Sequence, residues 1–304
     1  MPRMPRQKAY DAIFHVMCRS ITEISLFKND FDKRIYIAYI KKYQNLFKFR
    51  IYGYCLMDNH VHLIVDANGS DISKVMHGIN FSYAQYFNRR YDRHGHLFQD
   101  RFKSKMVENE RYLFALSAYI HNNPIQAKRF RTCPEKYEFS SLSTYLGLKD
   151  DPYLLVDSGY IMSLLGNNLK EAREKYLRLV YKCDDIKLKQ ESEFESEKTE
   201  YRSERKILVR NYKNEDIIDF VAGKFNIPKI KLHMKFSREI IAARALLVIL
   251  MRSLCNNKCS EICSALGNIT AARVSKLSSI GIELISNNEG YRNIIEEFIG
   301  EYGS

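Results

Sequence analysis

The segment from residue 49 to residue 66 constrains the fold more than any other part of the sequence. It contains two runs rich in β-branched and aromatic residues, FRIYGYCLM and HVHLIVD, separated by Asp58 and Asn59. Two such runs joined by a short polar turn are typical of a β-hairpin. The second run alternates, so one face of its strand carries His60 and His62 while the other carries only Val and Leu. The chain is therefore predicted to contain an antiparallel sheet with a polar patch on one face.

The flanking segments predict that helices alternate with strands around this hairpin. AIFHVMCR and the end of GHLFQDRFKSKMV supply two further strands, the second of them short and preceded by a loop. Apolar residues at helical spacing predict helices over residues 31–48, 71–91 and 108–122, the last ending before Pro124. The resulting order, β-α-β-β-α-β-α, predicts an α+β fold, a ferredoxin-like four-stranded antiparallel sheet with helices on one face.

Positive charge is concentrated in the first half of the chain. The 304 residues carry a net charge of +12, and residues 1–150 contain 24 Lys and Arg against 14 Asp and Glu. Residues 151–210 are balanced at 12 against 12, and residues 211–304 have a helical pattern almost throughout. We therefore predict domains over 1–150 and 211–304, joined by a helical, charged linker. A basic domain most often binds nucleic acid, and less often an anionic membrane surface.

The composition excludes several classes of protein. The longest apolar stretch, residues 240–251, is interrupted by Arg244 and is too short for a membrane span of about 20 residues. The basic N-terminus lacks the apolar region of a signal peptide. The seven cysteines include no CxxC pair, so we expect reduced, small apolar residues in a cytoplasmic protein.

Four residues could supply chemistry if the fold brings them together. His60 and His62 lie on one face of a strand, about 7 Å apart, and could chelate one divalent ion. Spacing alone does not decide between a metal site and two strand histidines that bind no ion, because H-x-H is a weak motif. Tyr119 and Asn123 are four residues apart and share a helical face, where a phenol could attack phosphorus and a carboxamide oxygen could bind a hard cation. Spacing does not distinguish Tyr119 from a packing residue.

Three blocks of the sequence, in order, resemble one family. GYCLMDNHVHLIV resembles the HUH motif, two histidines separated by an apolar residue, of single-tyrosine transposases. GHLFQDRFKS, YLFALSAYIHNNPIQA and the opening AIFHVMCR are similar to the REP-associated tyrosine transposase branch, and the resemblance covers about residues 5–145. It implies the HUH nuclease fold and a metal-dependent transposase. Such an enzyme cleaves and rejoins single-stranded DNA next to hairpins through a 5′-phosphotyrosine intermediate.

The resemblance also implies roles for individual residues. Tyr119 would be the nucleophile, His60 and His62 would bind Mg²⁺ or Mn²⁺, and Asn123 would be a third ligand or would place the metal. His15, on the first strand, is expected to be structural. Basic residues near the motifs are expected to contact the DNA backbone. These are Arg89, Arg90, Arg93, Arg101, Lys103 and Lys105.

Residues 214–280 resemble the C-terminal DNA-binding domain of the bacterial replication initiator DnaA. The stretches FSREIIAARALLVILMRSL and CSEICSALGNITAARVSKL carry this resemblance. It implies a small all-α domain with a helix-turn-helix that binds duplex DNA, and Thr270, Arg273 and Lys276 are the candidates for its recognition helix. Where that family has Asp-His-Ser-Thr-Val, this chain has NITAARVSK, so recognition of an initiator box is not expected.

Three functions compete at this point. The leading one is the transposase. The second is a domesticated, non-catalytic DNA-binding regulator that keeps the HUH fold, and the third is a related HUH replication or mobilisation nuclease. The intact set of His60, His62, Tyr119 and Asn123 favours an enzyme, and the later blocks favour the REP-associated branch. We expect a bacterial, cytoplasmic monomer or homodimer, associated with the nucleoid when bound to hairpin single-stranded DNA, and no membrane partner.

Overall fold

The computed structural model describes most of the chain. The described residues are 9–22, 24–183, 208, 210–234, 240–267 and 269–302, so most of the charged segment 182–210 predicted as a linker lies outside them. The chain divides into two compact units, one of residues 1–44 and 48–207 and the other of residues 45–47 and 208–304.

The first unit is built on a four-stranded antiparallel sheet. Its strands are β1 (Ile13–Arg19), β2 (Arg50–Leu56), β3 (His60–Asp66) and β4 (Lys103–Met106). The strand order is β2-β3-β1-β4, and the predicted hairpin is formed by β2 and β3. The ferredoxin-like order places β1 and β3 at the centre, which confirms the predicted α+β sheet.

Two long helices cover one face of this sheet. They are α1 (Asp30–Phe47) and α2 (Ile72–Arg90). Tyr36 of α1 and Asn80 of α2 both reach the Cys18 thiol of β1, at 3.8 Å for Tyr36 Oη and 3.3 Å for Asn80 Nδ2. The even-numbered residues of β1 therefore face these helices, because side chains alternate along a strand.

Helix α3 (Glu110–Asn122) lies on the opposite face, so the expectation of helices on one face only is wrong. Met17 points away from its neighbour Cys18 and pairs across the sheet with His62. The His62 ring lies 6.0 Å from the Tyr119 ring of α3, centroid to centroid. The central strands are buried on both faces, and a sheet of that kind needs cover on each side.

The first unit continues beyond α3 with three further α-helices. They are α4 (Leu142–Tyr145), α5 (Ser158–Ser163) and α6 (Leu169–Lys182), and α6 packs on α3. Tyr145 and Tyr176 are fully buried, with ring centroids 5.0 Å apart. The boundary predicted at residue 150 falls inside this unit, because the charge balance changes there while the apolar core continues into α6.

The second unit is helical throughout its described residues, as its sequence pattern predicts. Almost every residue of the central helix, α9 (Ile241–Leu254), is buried. Among the helices that the structure describes, none is long and apolar enough to cross a membrane. The helices are α7 (Asn214–Lys224), α8 (Lys229–His233), α9 (Ile241–Leu254), α10 (Cys259–Leu266), α11 (Ala271–Asn287) and α12 (Ile294–Tyr302).

Candidate active site

Strand register collects polar side chains at one end of the face that α3 covers. Arg19 pairs with His60 and Met17 pairs with His62 between β1 and β3, and Met17 also pairs with Lys103 of β4. Residues directly opposite one another in a sheet share a face. This end of the sheet therefore carries two imidazoles together with the cationic side chains of Arg19 and Lys103.

The His62 ring is buried among aromatic and polar groups. It stacks on His15, with ring centroids 5.2 Å apart, and His62 Nδ1 lies 3.0 Å from His15 Nε2. Burial lowers the pKa of His62 well below its usual value, and the neighbouring His15 and His60 rings lower it further. The ring is therefore neutral near pH 7, the form in which imidazole binds metal ions.

The His60 ring stands perpendicular to His62, with ring centroids 5.0 Å apart. Its Nδ1 lies 2.6 Å from Oδ1 of Asn59, the preceding residue in the turn between β2 and β3. Burial lowers the pKa of His60, and a hydrogen bond with the Asn123 side chain opposes that shift. The two rings thus differ in their partners but are both held in place by a neighbour at Nδ1.

Helix α3 brings Tyr119 and Asn123 over the two histidines. The Asn109 side chain caps the start of this helix, accepting from Tyr112 N at 2.8 Å. At the other end, Asn123 Nδ2 donates to the main-chain oxygen of Tyr119 at 3.0 Å. The Asn123 side chain is thereby anchored to the helix through its nitrogen, and the same side chain forms a hydrogen bond with His60. The structure brings all four predicted residues together.

His121, two residues after Tyr119 in α3, is fully buried. Both of its ring nitrogens contact residues that follow α3 in the chain. Its Nδ1 lies 2.7 Å from Tyr176 Oη and its Nε2 lies 2.6 Å from Ser141 Oγ. Burial lowers the pKa of His121 to about 3. This neutral ring links α3 to two distant segments and so fixes the helix that carries Tyr119.

The donor set of this site bears on the metal that the resemblance implies. The described part of the chain holds no group of three or more His, Cys, Asp or Glu side chains arranged for a metal. The candidate donors are instead two imidazoles and the Asn123 carboxamide oxygen. Nδ1 of His62 faces His15 and Nδ1 of His60 faces Asn59, and the His60 ring also has a hydrogen bond with the Asn123 side chain. The set lacks a carboxylate, so it fits Mg²⁺ or Mn²⁺ only with further oxygen ligands, such as those of a phosphate.

The predicted DNA-contacting residues of the later segment lie beside this site. Lys103 and Lys105 are on β4, on the same face as the histidines, and the exposed Arg101 lies two residues before the strand begins. Lys105 Nζ lies 3.9 Å from a Glu108 carboxylate oxygen and 5.0 Å from the centre of the Tyr112 ring. Lys103 is exposed, and it is the more accessible of the two lysines.

The predicted arginines near α2 have a different setting, since α2 covers the opposite face of the sheet. Arg90 lies over the Phe31 ring at 4.8 Å and 3.8 Å from a buried Asp32 oxygen. Arg93 bonds Asn88 through its side chain at 3.4 Å, while Arg89 is exposed. Arg90 therefore takes part in packing between α1 and α2.

Sequence reasoning missed Arg19 and Asn59 and expected only a structural role for His15. Alternation along AIFHVMCR indicates that Arg19 and His15 share a face, and that signal was present in the sequence. Their proximity to the histidine pair depends on the register of β1 against β3, which the sequence of one strand does not specify.

In the second unit, the three predicted recognition residues lie at the start of α11. Thr270 caps this helix, with its hydroxyl oxygen 3.3 Å from Arg273 N, and Lys276 is exposed one turn later. Helix α10 ends at Leu266 and is followed by Gly267, which has a φ of +59°, and α10 packs on α11. Two consecutive helices that pack on each other are therefore present, and their role in DNA binding stays a prediction.

A pair of neutral imidazoles facing a tyrosine, beside a row of cationic side chains, defines a site suited to phosphoryl transfer. Residues 8–123 match the family model for transposases of the IS200-like type, and this segment includes His60, His62, Tyr119 and Asn123. One similar solved structure is described as a REP-associated tyrosine transposase bound to a REP hairpin. It is 15% identical, and the match covers 52% of this chain and 93% of that chain with a TM-score of 0.42. No curated protein matches this chain.

Proposed function

We propose that the first unit is a metal-dependent transposase that cleaves and rejoins single-stranded DNA next to hairpins. The observation that carries the proposal is the juxtaposition of Tyr119 with His62, at 6.0 Å between ring centroids, inside a segment that matches IS200-like transposases. A protein that only binds DNA has no need of a tyrosine beside two neutral imidazoles.

The proposed chemistry conserves the energy of the phosphodiester. Tyr119 Oη gives up its proton and attacks phosphorus, the bond from phosphorus to the 3′ oxygen breaks, and the departing 3′ oxygen takes up a proton. The product is a 5′-phosphotyrosine and a free 3′-hydroxyl. A second 3′-hydroxyl then attacks the same phosphorus, the tyrosine oxygen leaves, and the strands are rejoined without ATP.

The chain's own residues prepare this reaction. His60, His62 and Asn123 would hold Mg²⁺ or Mn²⁺, which when bound polarises the scissile phosphate and offsets its developing charge. Burial keeps the two imidazoles neutral by lowering their pKa values. Lys103 and the neighbouring Arg101 attract the DNA backbone toward this end of the sheet.

A single chain carries the complete set of groups. Tyr119 lies beside the histidines of its own chain, and α3 is held there by the bonds of His121 to Ser141 and Tyr176. The proposed reaction can therefore proceed in a monomer, and a homodimer is not required to bring tyrosine and histidines together.

For the second unit we propose duplex DNA binding through the start of α11, with Thr270, Arg273 and Lys276 facing the DNA. Residues 211–304 contain 12 Lys and Arg against 10 Asp and Glu. Such a small excess of positive charge supports only weak binding by this unit alone, since phosphate neutralisation supplies most non-specific affinity. This unit would therefore influence target choice more than the reaction itself.

The test is a denaturing gel with hairpin DNA labelled at its 3′ end, incubated with the full chain and Mn²⁺. Wild type should give a slow, protease-sensitive labelled band, and Tyr119→Phe should give none while binding DNA nearly as well. Tyr181→Phe, which alters an exposed tyrosine on α6, is the matched control and should behave as wild type.

Two outcomes would contradict the proposal. A covalent band in Tyr119→Phe would remove this residue as the nucleophile, and a band that persists in EDTA would remove the metal. Retardation in native gels by a panel of hairpins, with no covalent band for any of them, would support the non-catalytic regulator instead.

A further inference from the structure

The segment that follows the tyrosine helix carries a cluster of exposed positive charges. Two short 3-10 helices, Asn123–Gln126 and Lys128–Phe130, continue the chain directly from α3. Residues 128–136 are called the basic loop below. Its exposed cationic side chains are Lys128, Arg129, Arg131 and Lys136.

Packing fixes the basic loop at the edge of the candidate site. The Phe130 ring lies 5.0 Å from the Tyr137 ring, centroid to centroid, and Tyr137 Oη donates to the main-chain oxygen of Leu56 at 2.7 Å. Leu56 is the last residue of β2, four residues before His60. The loop also begins five residues after Asn123, whose side chain forms a hydrogen bond with His60. The basic loop therefore borders the histidines on their β2 side.

The basic loop and β4 lie on opposite sides of this site. In the strand order β2-β3-β1-β4, the two histidines are on β3, while Lys103 is on β4 at the far edge. A nucleic acid whose scissile phosphate reaches Tyr119 extends from that point in two directions. One direction leads toward Lys103, and the other leads toward the basic loop.

The positive charge of the basic loop is not offset by the acidic residues around it. Glu135, within the loop, accepts a hydrogen bond from Tyr181 Oη at 2.8 Å. Asp58, in the turn between β2 and β3, forms an ion pair with the buried Lys33 at 2.7 Å. In the part of the chain that the structure describes, none of the four cations of the loop forms an ion pair. The loop therefore presents a concentrated positive charge to a polyanion.

The aromatic rings at the basic loop are already used in packing. Phe130 meets Tyr137 edge-on, at 71°, and the Arg129 guanidinium lies over the Phe130 ring at 5.4 Å. Tyr137 itself is buried. Proteins that bind single strands combine positive charge with exposed rings on which bases stack. A surface with cations and no free ring is suited to the phosphate backbone, which a duplex carries on its outside.

We propose that the basic loop binds the phosphate backbone of the duplex stem of the hairpin. The inference rests on the proposed function for the hairpin substrate, and it deepens that function by assigning a second DNA-binding surface to the first unit. The single-stranded part of the same DNA is then left to the β4 side of the site, where Lys103 lies.

The first experiment measures how salt affects hairpin binding by the full chain, using fluorescence anisotropy in EDTA, where the proposed reaction does not proceed. The double variant Arg129→Gln with Arg131→Gln removes two charges at exposed positions. Each phosphate contact contributes about 0.9 to the slope of log affinity against log salt, so the slope of the variant should be smaller by about 1.8. A rise from about 50 to about 200 mM salt should then cost the variant about 12-fold less affinity than it costs wild type.

Two further double variants are the controls. Lys149→Gln with Lys170→Gln removes two exposed charges elsewhere in the first unit and should keep the wild-type slope. Arg129→Lys with Arg131→Lys keeps the charge of the loop and should also keep that slope. An unchanged slope in the glutamine variant of the loop would overturn the proposal. An equal decrease in the Lys149 and Lys170 variant would overturn it too, because net charge alone would then explain the effect.

The second experiment compares the hairpin with an unpaired strand of the same length. The glutamine variant of the basic loop should lose affinity for the hairpin and bind the unpaired strand as wild type does. An equal loss for both DNAs would overturn the assignment to the duplex stem.

The outcomes separate this inference from the proposed function. If the slope falls as expected while no covalent DNA product forms with wild type, the inference stands and the proposed reaction fails. If the covalent product forms while the variant of the loop keeps the wild-type slope, the reaction stands and the inference fails.

Discussion

Helices α9 and α11 approach so closely at Gly281 that this position should not accept a methyl group. A Cβ atom there would lie 2.5 Å from the main-chain oxygen of Ala245 and 2.5 Å from Cγ1 of Ile249. The oxygen belongs to the backbone of α9 and cannot move unless the whole helix moves. Gly281→Ala should therefore push α11 away from the buried helix at the centre of the second unit.

The size of the effect can be isolated with a second glycine. Replacing a helical glycine by alanine stabilises the helix by about 1 kcal/mol, whereas overpacking a core typically costs about 1–3 kcal/mol. Gly223 of α7 is exposed, and no atom lies within 4 Å of a Cβ built there, so Gly223→Ala should show only the gain. Both variants gain the helix-propensity contribution, so the difference between their free energies of unfolding reports the overpacking alone. We expect Gly281→Ala to be about 2 kcal/mol less stable than Gly223→Ala.

The measurement is urea unfolding of the full chain by far-UV circular dichroism, because the chain has no tryptophan to report by fluorescence. Hydrogen exchange of peptides from α9 and α11, followed by mass spectrometry, assigns the change to this helix pair. Equal stability of the two variants, within about 0.5 kcal/mol, would refute the close approach of the helices.

Other expectations concern the first unit. His121 has a pKa of about 3 in the folded chain, below the usual 6.5, so the unfolded chain binds more protons and stability falls as the pH falls below about 6.5. At pH 5 this amounts to a loss of about 2 kcal/mol relative to pH 7, and urea titrations at both values should show that His121→Gln lacks this part of the slope. Lys103→Ala should weaken binding of single-stranded DNA and lower its dependence on salt, measured by fluorescence anisotropy, whereas Arg90→Ala should mainly reduce thermal stability. Equal effects of the two substitutions on the salt dependence would contradict the packing role of Arg90.

Local patterns were sufficient to predict the strands and helices of the first unit as far as α3, but not α4, α5 and α6. The strand predicted from His60 to Asp66 has those bounds, and the helix predicted over residues 71–91 is observed as Ile72–Arg90 with Asp71 as its cap. Alternation, helical spacing and capping residues all act within a few positions of one another, so a single sequence contains them. The pairing of Tyr119 with Asn123 on one helical face was predictable for the same reason.

The features that were not predicted depend on contacts between distant segments. His15 and His62 are 47 residues apart, and their hydrogen bond depends on the register of two strands that are not adjacent in sequence. The cover that α3 provides for the second face of the sheet, and the packing of α6 on α3, likewise depend on contacts between distant segments. In the sequence, nothing distinguishes Arg90 from the other basic residues near the motifs. Its interaction with the buried Asp32 of α1 is visible only in the structure.

The bonds of His121 bear on how related genes should be judged intact. Ser141 and Tyr176, its two partners, lie 20 and 55 residues beyond it in the chain. A decayed copy of the gene that stopped soon after Tyr119 would still encode both histidines and the tyrosine, and a search for motifs would count it as complete. Its product would lack the partners that hold the tyrosine helix against the sheet. Survival of the region up to Tyr176, rather than of the motifs, is therefore the criterion for a gene that can still encode an assembled site.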